Sequence, residues 1–171
     1  MKTLLRGVTV ISLLATTSLA LAQPPGGGRG GRGGPPPEPS LITYELAEAA
    51  IDAAEAYARD NDWNVTILVT DQNANPVMMR RLDGAPPFTY TIATRKALTV
   101  TGSGVTSREY GTKLEAGEID EIENAVTFAG GVPVYRDGEL IGAIATSGVT
   151  ADQDEEVSTA GAEVIGSVSP D

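Results

Sequence analysis

Downstream of a glycine- and proline-rich stretch, apolar and polar positions follow the patterns typical of helices and strands. Leu46, Ala50 and Tyr57 belong to an apolar series at helical spacing, which predicts a first helix. Residues 64–71 and 76–82 are short apolar runs separated by a turn-rich connection. They predict two strands joined as a hairpin.

The second half of the chain repeats this alternation of helix and hairpin signals. A second helix is expected from about residue 88 to 100, and capping-box spacing at Thr106 and Thr150 predicts two more. The apolar runs 132–136 and 139–147 flank an Asp-Gly turn and predict a second hairpin.

The final helix is expected to end near Ile165, and the segment 117–129 follows no clear pattern. The order α-ββ-α-α-ββ-α, with that segment left open, predicts an α+β domain in which helices cover an antiparallel sheet.

Residues 1–22 have the three parts of a secretory signal peptide. Lys2 and Arg6 are basic, residues 8–14 are apolar, and Ala20-Leu21-Ala22 is a small-x-small cleavage signature. The apolar stretch is short for a membrane anchor. We therefore predict cleavage after Ala22, a periplasmic or secreted protein, and no membrane span after cleavage.

Residues 23–40 are rich in glycine and proline and have almost nothing apolar to bury, so we predict a disordered tether before a domain at 41–171. Arg29 and Arg32 among glycines are similar to an RNA-binding segment, and a flexible spacer is the alternative that we favour. The net charge of −11 argues against nucleic acid as a partner, because phosphate binding depends on Lys and Arg.

The chain contains no His and no Cys, which excludes several kinds of site. Ser-His-Asp and Cys-His nucleophilic sites, His/Cys zinc sites and disulfides are impossible. Any catalysis would rest on carboxylates, Lys, Tyr, Ser/Thr or a bound cofactor. No acid–base pair stands out, so enzymatic activity is left open and a non-catalytic role is favoured.

Three glutamates form a candidate metal site. Glu115, Glu118 and Glu121 are spaced three residues apart and would share one face of a helix. Their oxygens could then hold a hard cation such as iron or calcium. The alternative is a solvated acidic face.

The second helix and the strand before it carry the candidate ligand contacts. Lys96 borders the apolar stripe of the helix, where its ammonium either meets an anionic ligand or extends to the surface. Arg80 and Arg81 point to opposite faces of their strand, so at most one joins a given site. Tyr90 is a candidate for stacking or for an oxygen ligand to ferric iron, with simple packing as the alternative.

Met78 and Met79 also alternate along this strand. The inward one of the two is expected to belong to the core rather than to a ligand site.

Seven short motifs occur in a fixed order along the chain. Their sequences are VTD at 69–71, LDGA at 82–85, IATRKALT at 92–99, GGVPV at 130–134, DGELIGAI at 137–144, SGVT at 147–150 and QDEEV at 153–157. Over nearly all of residues 41–166 this set resembles the GlcG/HbpS family of haem-binding and so-called haem-degrading proteins, which is related to the C-terminal domain of PduO-type proteins.

The resemblance implies a profilin-like fold: a five-stranded antiparallel sheet with helices on both faces, often assembled into homo-oligomers. It also implies binding of haem or a related tetrapyrrole. Lys96 and Thr99 occupy matching places in the family's I-A-x-x-K-A-x-T signature. Thr99 is then the best candidate for an oxygen ligand to the iron. Lys96, with arginines such as Arg81, would meet the propionates. Ligation by His, found in some relatives, is impossible here.

Together these observations predict an exported haem-binding protein that acts as a scavenger or as a redox or haem sensor. The alternative is an interaction module that binds no ligand and docks a periplasmic or extracellular protein partner. An enzyme acting on small hydroxy acids is the least favoured possibility.

Overall fold

The computed structural model describes residues 39–170, so the predicted signal peptide, nearly all of the predicted tether and the last residue lie outside the described part. The elements follow in the order α1 (Tyr44–Asp60), β1 (Thr66–Asp71), β2 (Pro76–Arg81), α2 (Thr89–Ser103), α3 (Ser107–Glu115), β3 (Gly131–Arg136), β4 (Glu139–Ser147) and α4 (Ala151–Ile165). None of these helices is long and apolar enough to cross a membrane.

The four strands form one antiparallel sheet in the order β2-β1-β4-β3. Both predicted hairpins are confirmed, and β1 pairs with β4 to join them into one sheet. Thr66 at the start of β1 lies opposite Arg81 on one side and Ser147 on the other. The start of β1 and the ends of β2 and β4 therefore meet at the same end of the sheet.

Helices cover both faces of the sheet, as expected. On one face, here the α1/α4 face, Ile67, Val69 and Ile144 pack in a core with the apolar sides of α1 and α4. On the opposite face, the α2 face, Leu68 and Ala143 pack with α2. Successive residues of a strand point to opposite faces, so β1 supplies both cores from a single run of buried residues.

The expected count of five strands is wrong for the described residues, which form four. The segment 117–129 forms neither a helix nor a strand. After α4, only Ser167 pairs with β3, through one bridge to Tyr135. Pro170 lies three residues further on and lacks the N–H that a longer ladder would need.

Side-chain caps define where two of the helices begin. The Thr106 hydroxyl accepts a hydrogen bond from the backbone N–H of Glu109, at the start of α3. Thr150 and Gln153 form a reciprocal capping box at the start of α4. Both predicted helix starts are therefore confirmed. Each cap stabilises its helix by accepting hydrogen bonds from backbone N–H groups that the first turn leaves unpaired.

Candidate functional site

Helix α2 lies across the α2 face over β1, β4 and β3, and its two sides have different neighbours. Tyr90 and Thr99 are nine residues apart, about two and a half turns, so they project from opposite sides. The Thr99 side contacts the segment 117–129, and the Tyr90 side faces away from that segment. The predicted ligand contacts are divided between these two sides.

Lys96 projects from the Thr99 side and is only 1% exposed. Its Nζ lies 2.7 Å from Asp154 Oδ2, donates to the carbonyl oxygen of Thr146 at 2.8 Å, and lies 5.3 Å from the centre of the Phe128 ring. A Cβ at Gly130 would overlap this ammonium, so the glycine leaves room for the end of the Lys96 side chain. Lys96 therefore connects α2 with α4 on the opposite face. The sequence had predicted either contact with an anionic ligand or extension to the surface, and neither prediction included this ion pair.

Burial sets the electrostatics of this pair. It lowers the pKa of Lys96 and raises the pKa of Asp154, while the attraction between the two groups opposes both shifts. The carboxylate also accepts a hydrogen bond from the backbone N–H of Val149 at 3.2 Å. Because both charged groups are buried, each serves as the counter-charge of the other. Removing either one would leave an uncompensated charge in the protein interior.

Thr99 is fully buried, and its hydroxyl has two partners. It accepts from the backbone N–H of Val126 at 2.9 Å and donates to the carbonyl oxygen of Arg95 at 2.9 Å. Arg95 in turn donates to the carbonyl oxygen of Asn124 at 2.9 Å. Thr99 and Arg95 thus fix the irregular segment 117–129 against α2.

Arg81 lies near the start of α2, the helix whose first turn carries Tyr90. Thr66 lies opposite Arg81, and its hydroxyl is 2.7 Å from the hydroxyl of Thr89. Because paired residues of neighbouring strands share a face, Arg81 lies on the α2 face beside the first turn of the helix. Arg81 is exposed, and 53% of Tyr90 is accessible to solvent.

Met79 extends the same surface along β2. It lies opposite Leu68, which packs against Ala93 and Ala97 of α2. Since α2 covers β1, β4 and β3, the β2 edge of this face stays uncovered, and Met79 is 50% exposed. We call Met79, Arg81 and Tyr90 together the open surface.

Met79 did not emerge as a ligand contact from the sequence. The alternation along β2 was the available signal: Met78 packs against the core of the α1/α4 face, so Met79 must point the other way. What the sequence lacks is the position of α2, which leaves this edge uncovered.

Thr70 also lies on the α2 face, opposite Ala143 of β4. Its hydroxyl is the one buried side-chain polar atom within residues 39–170 that has no hydrogen-bond partner. Buried polar groups are normally paired. This hydroxyl therefore keeps unused hydrogen-bonding capacity on the sheet face that carries the open surface.

The predicted metal site does not form in the described residues. Helix α3 ends at Glu115, and Gly117 takes a left-handed φ of +71°, so Glu118 and Glu121 follow after the helix. The expected common helical face is wrong because the chain leaves the helix between the first and second glutamate. Across the described part of the chain, no group of three or more acidic side chains is placed to hold a metal ion.

The protein is thus an α+β domain in which helices cover both faces of the sheet and leave the β2 edge of the α2 face uncovered. Residues 42–163 match the family described as haem-degrading protein HbpS-like. The chain belongs to this family, and the resemblance found in the sequence is confirmed.

Relatives of this family share about a third of their residues with the chain. It is 31% identical to protein GlcG of Escherichia coli over 109 residues, which is 63% of this chain and 81% of GlcG. It is also 31% identical over 121 residues to an uncharacterized 15.0 kDa protein from the dhaT-dhaS intergenic region of Citrobacter freundii, covering 67% of this chain and 85% of that protein.

Solved structures give the same result for the fold. A double mutant of HbpS from Streptomyces reticuli superposes with a TM-score of 0.69 at 33% identity, covering 80% of this chain and 94% of that one. A PduOC–haem complex superposes with a TM-score of 0.62 at 22% identity, covering 72% and 94%. The second likeness supports the fold alone.

Proposed function

We propose that this protein is an exported haem-binding protein, that haem binds at the open surface, and that the protein acts as a scavenger or as a redox or haem sensor. One observation carries the proposal. In a chain of the HbpS-like family, Met79 and Arg81 on the α2 face of β2 and Tyr90 in the first turn of α2 are all exposed to solvent. We further propose that the protein forms homo-oligomers.

The residues of the open surface fit the chemistry of haem. Met and Tyr are both known as axial ligands of haem iron. Arginine pairs with carboxylates such as the haem propionates through two parallel hydrogen bonds. Within the described residues Arg81 makes no hydrogen bond or ion pair, whereas Arg80 on the other face is bound to Asp52 and Glu55. The guanidinium of Arg81 is therefore available for a propionate.

The proposal gives Lys96 and Thr99 supporting roles instead of direct contact with haem. The Lys96 ammonium is bound to Asp154, and the Thr99 hydroxyl is bound to Val126 and Arg95. These contacts hold α2 in position over the sheet, and Tyr90 is part of the same helix.

Bound haem would supply a redox-active iron, and the protein would determine how it is held. Met79 and Tyr90 offer an apolar and aromatic contact, and Arg81 would orient the propionates. An uncovered sheet edge leaves one side of such a ligand open to exchange. Easy exchange suits a scavenger or sensor better than an oxidase.

The test is a titration of the purified protein with haemin, followed through the Soret band, with heat-unfolded protein as the reference. We expect a saturable, shifted band from folded protein only. Tyr90→Ala should weaken binding about tenfold, since tenfold corresponds to about 1.4 kcal/mol. Tyr44→Ala is the matched control, because Tyr44 is similarly exposed, at 59%, and lies at the start of α1.

Two results would overturn the proposal: a band no different from that of unfolded protein, or equal weakening by both tyrosine substitutions. The first result would favour the alternative function, in which the open surface docks a protein partner.

A further inference from the structure

The chain offers haem iron very few soft donors. It contains no His and no Cys, and its three methionines are Met1, Met78 and Met79. Met1 belongs to the predicted signal peptide. The soft donors of the domain are therefore two neighbouring thioethers on β2.

These two methionines have opposite environments. Met78 lies opposite Val69 and packs against the core of the α1/α4 face. Met79 lies opposite Leu68 on the α2 face, where half of it is exposed. Only the thioether of Met79 is accessible to a ligand on the open surface.

We infer that Met79 would hold the iron of bound haem through its Sδ atom, and that this thioether would shift the affinity of the site towards ferrous haem. The inference rests on the proposed function and adds to it the identity of the ligand and a dependence on redox state.

Met79 is a better ligand candidate than Tyr90 for two reasons. A tyrosine binds iron as the phenolate and must first lose a proton, whereas a thioether is a neutral donor that needs no such step. Met79 is also part of a hydrogen-bonded strand, fixed in register by its pairing with β1. Tyr90 is then a flanking aromatic contact.

The preference for ferrous haem follows from the nature of the donor. Methionine ligation raises the reduction potential of haem. For a one-electron couple, a rise of about 59 mV corresponds to a tenfold gain in affinity for the reduced form relative to the oxidised form. We expect a gain of about tenfold or more over a protein that lacks the Met79 thioether.

The experiment compares the full-length mature protein with Met79→Leu and Met78→Leu. Leucine conserves size and apolar character, and the two sites are adjacent on the same strand, so Met78→Leu is the matched control. Two quantities are measured: the reduction potential of the bound haem, and the sulfur-to-iron charge-transfer absorption of the ferric complex. Circular dichroism confirms that each variant is folded.

We expect Met79→Leu to lower the potential by about 59 mV or more, to reduce the ferrous preference correspondingly, and to remove the charge-transfer band. Met78→Leu should keep both signals. If folded Met79→Leu binds haem with the wild-type potential and band, the inference is wrong while the proposed function stands. Equal losses in both variants would also overturn it. If the wild type binds no haem, the proposed function and the inference fail together.

Discussion

The two sides of α2 carry polar groups in very different states. On the Thr99 side, the charge of Lys96 and the hydroxyl of Thr99 are buried and fully engaged by protein partners. On the Tyr90 side, the ring of Tyr90 and the neighbouring guanidinium of Arg81 are exposed. The motif residues Lys96 and Thr99 therefore hold the domain together, while Tyr90 and Arg81 are exposed to solvent.

Strand β2 repeats the contrast over four consecutive residues. Met78 and Arg80 face the α1/α4 side, where Met78 is packed and Arg80 is bound to carboxylates of α1. Met79 and Arg81 face the other way and remain exposed. One methionine and one arginine of β2 thus contact other parts of the protein on the α1/α4 face, whereas the other methionine and arginine are exposed to solvent on the α2 face.

The largest effect is expected from breaking the buried pair. Asp154→Asn leaves the ammonium of Lys96 buried without a counter-charge and should destabilise the protein by about 3–5 kcal/mol. Replacing both partners, with Lys96→Met and Asp154→Leu, should recover most of that loss. Urea unfolding of the wild type, of Asp154→Asn and of the double variant measures the three free energies of unfolding. As a control, Asp152→Asn removes an exposed carboxylate of the same helix and should cost at most about 1 kcal/mol.

The Asp154→Asn variant should also show a characteristic pH dependence. Without Asp154, burial lowers the pKa of Lys96 further below its ordinary value of 10.5. The unfolded chain then holds this proton more tightly than the folded one. The free energy of unfolding should therefore rise as pH increases from the lowered pKa towards 10.5. A variant whose stability falls over that range would contradict the description of this side of α2.

A smaller effect is expected from Thr99→Val, which keeps the shape of the side chain but removes the acceptor for the N–H of Val126. The loss should be about 1–3 kcal/mol, the cost of leaving a buried donor unpaired. Thr101→Val is the control, because the Thr101 hydroxyl bonds only to carbonyls of its own helix. Haem affinity should hardly change in either variant. Lost haem binding with intact stability in Thr99→Val would make Thr99 a ligand and break the comparison.

The smallest effect concerns Glu55 and its partner Arg80. Burial raises the pKa of Glu55, but hydrogen bonds from Arg80 and Arg59 outweigh it, so the pKa falls below its ordinary value of 4.5. The stability that this carboxylate contributes is present above pH 4.5 and is lost as pH falls through the lowered pKa. Glu55→Gln should remove this part of the acid transition, by less than about 1 kcal/mol because the pair is partly exposed. Arg81→Gln should leave the acid transition unchanged.

Local signals in the sequence were sufficient for most of the fold. The helical spacing of α1, the Asp-Gly turn between β3 and β4, and the threonine caps of α3 and α4 depend on neighbours within a few residues, and each is confirmed. The opposite faces of Arg80 and Arg81 followed from the period of two in a strand, and the structure agrees.

Contacts between residues far apart in the sequence could not be predicted from local patterns. The pairing of Lys96 with Asp154 joins residues 58 positions apart and needs the space at Gly130, which no local pattern indicates. The segment 117–129 is held by side chains of α2 and has no repeating pattern of its own. For the glutamates a local signal did exist: Gly117, two residues after Glu115, is where the backbone leaves the helix.

The central claim is that haem binds on the Tyr90 side of α2, at the open surface, and not on the Lys96 side. The most direct measurement is the haemin affinity of two double variants, one with Lys96→Met and Asp154→Leu, the other with Tyr90→Ala and Arg81→Gln. We predict that the first stays within about threefold of the wild type, while the second loses about 50-fold, equivalent to roughly 2.3 kcal/mol. A large loss in the first, folded variant with none in the second would contradict the account.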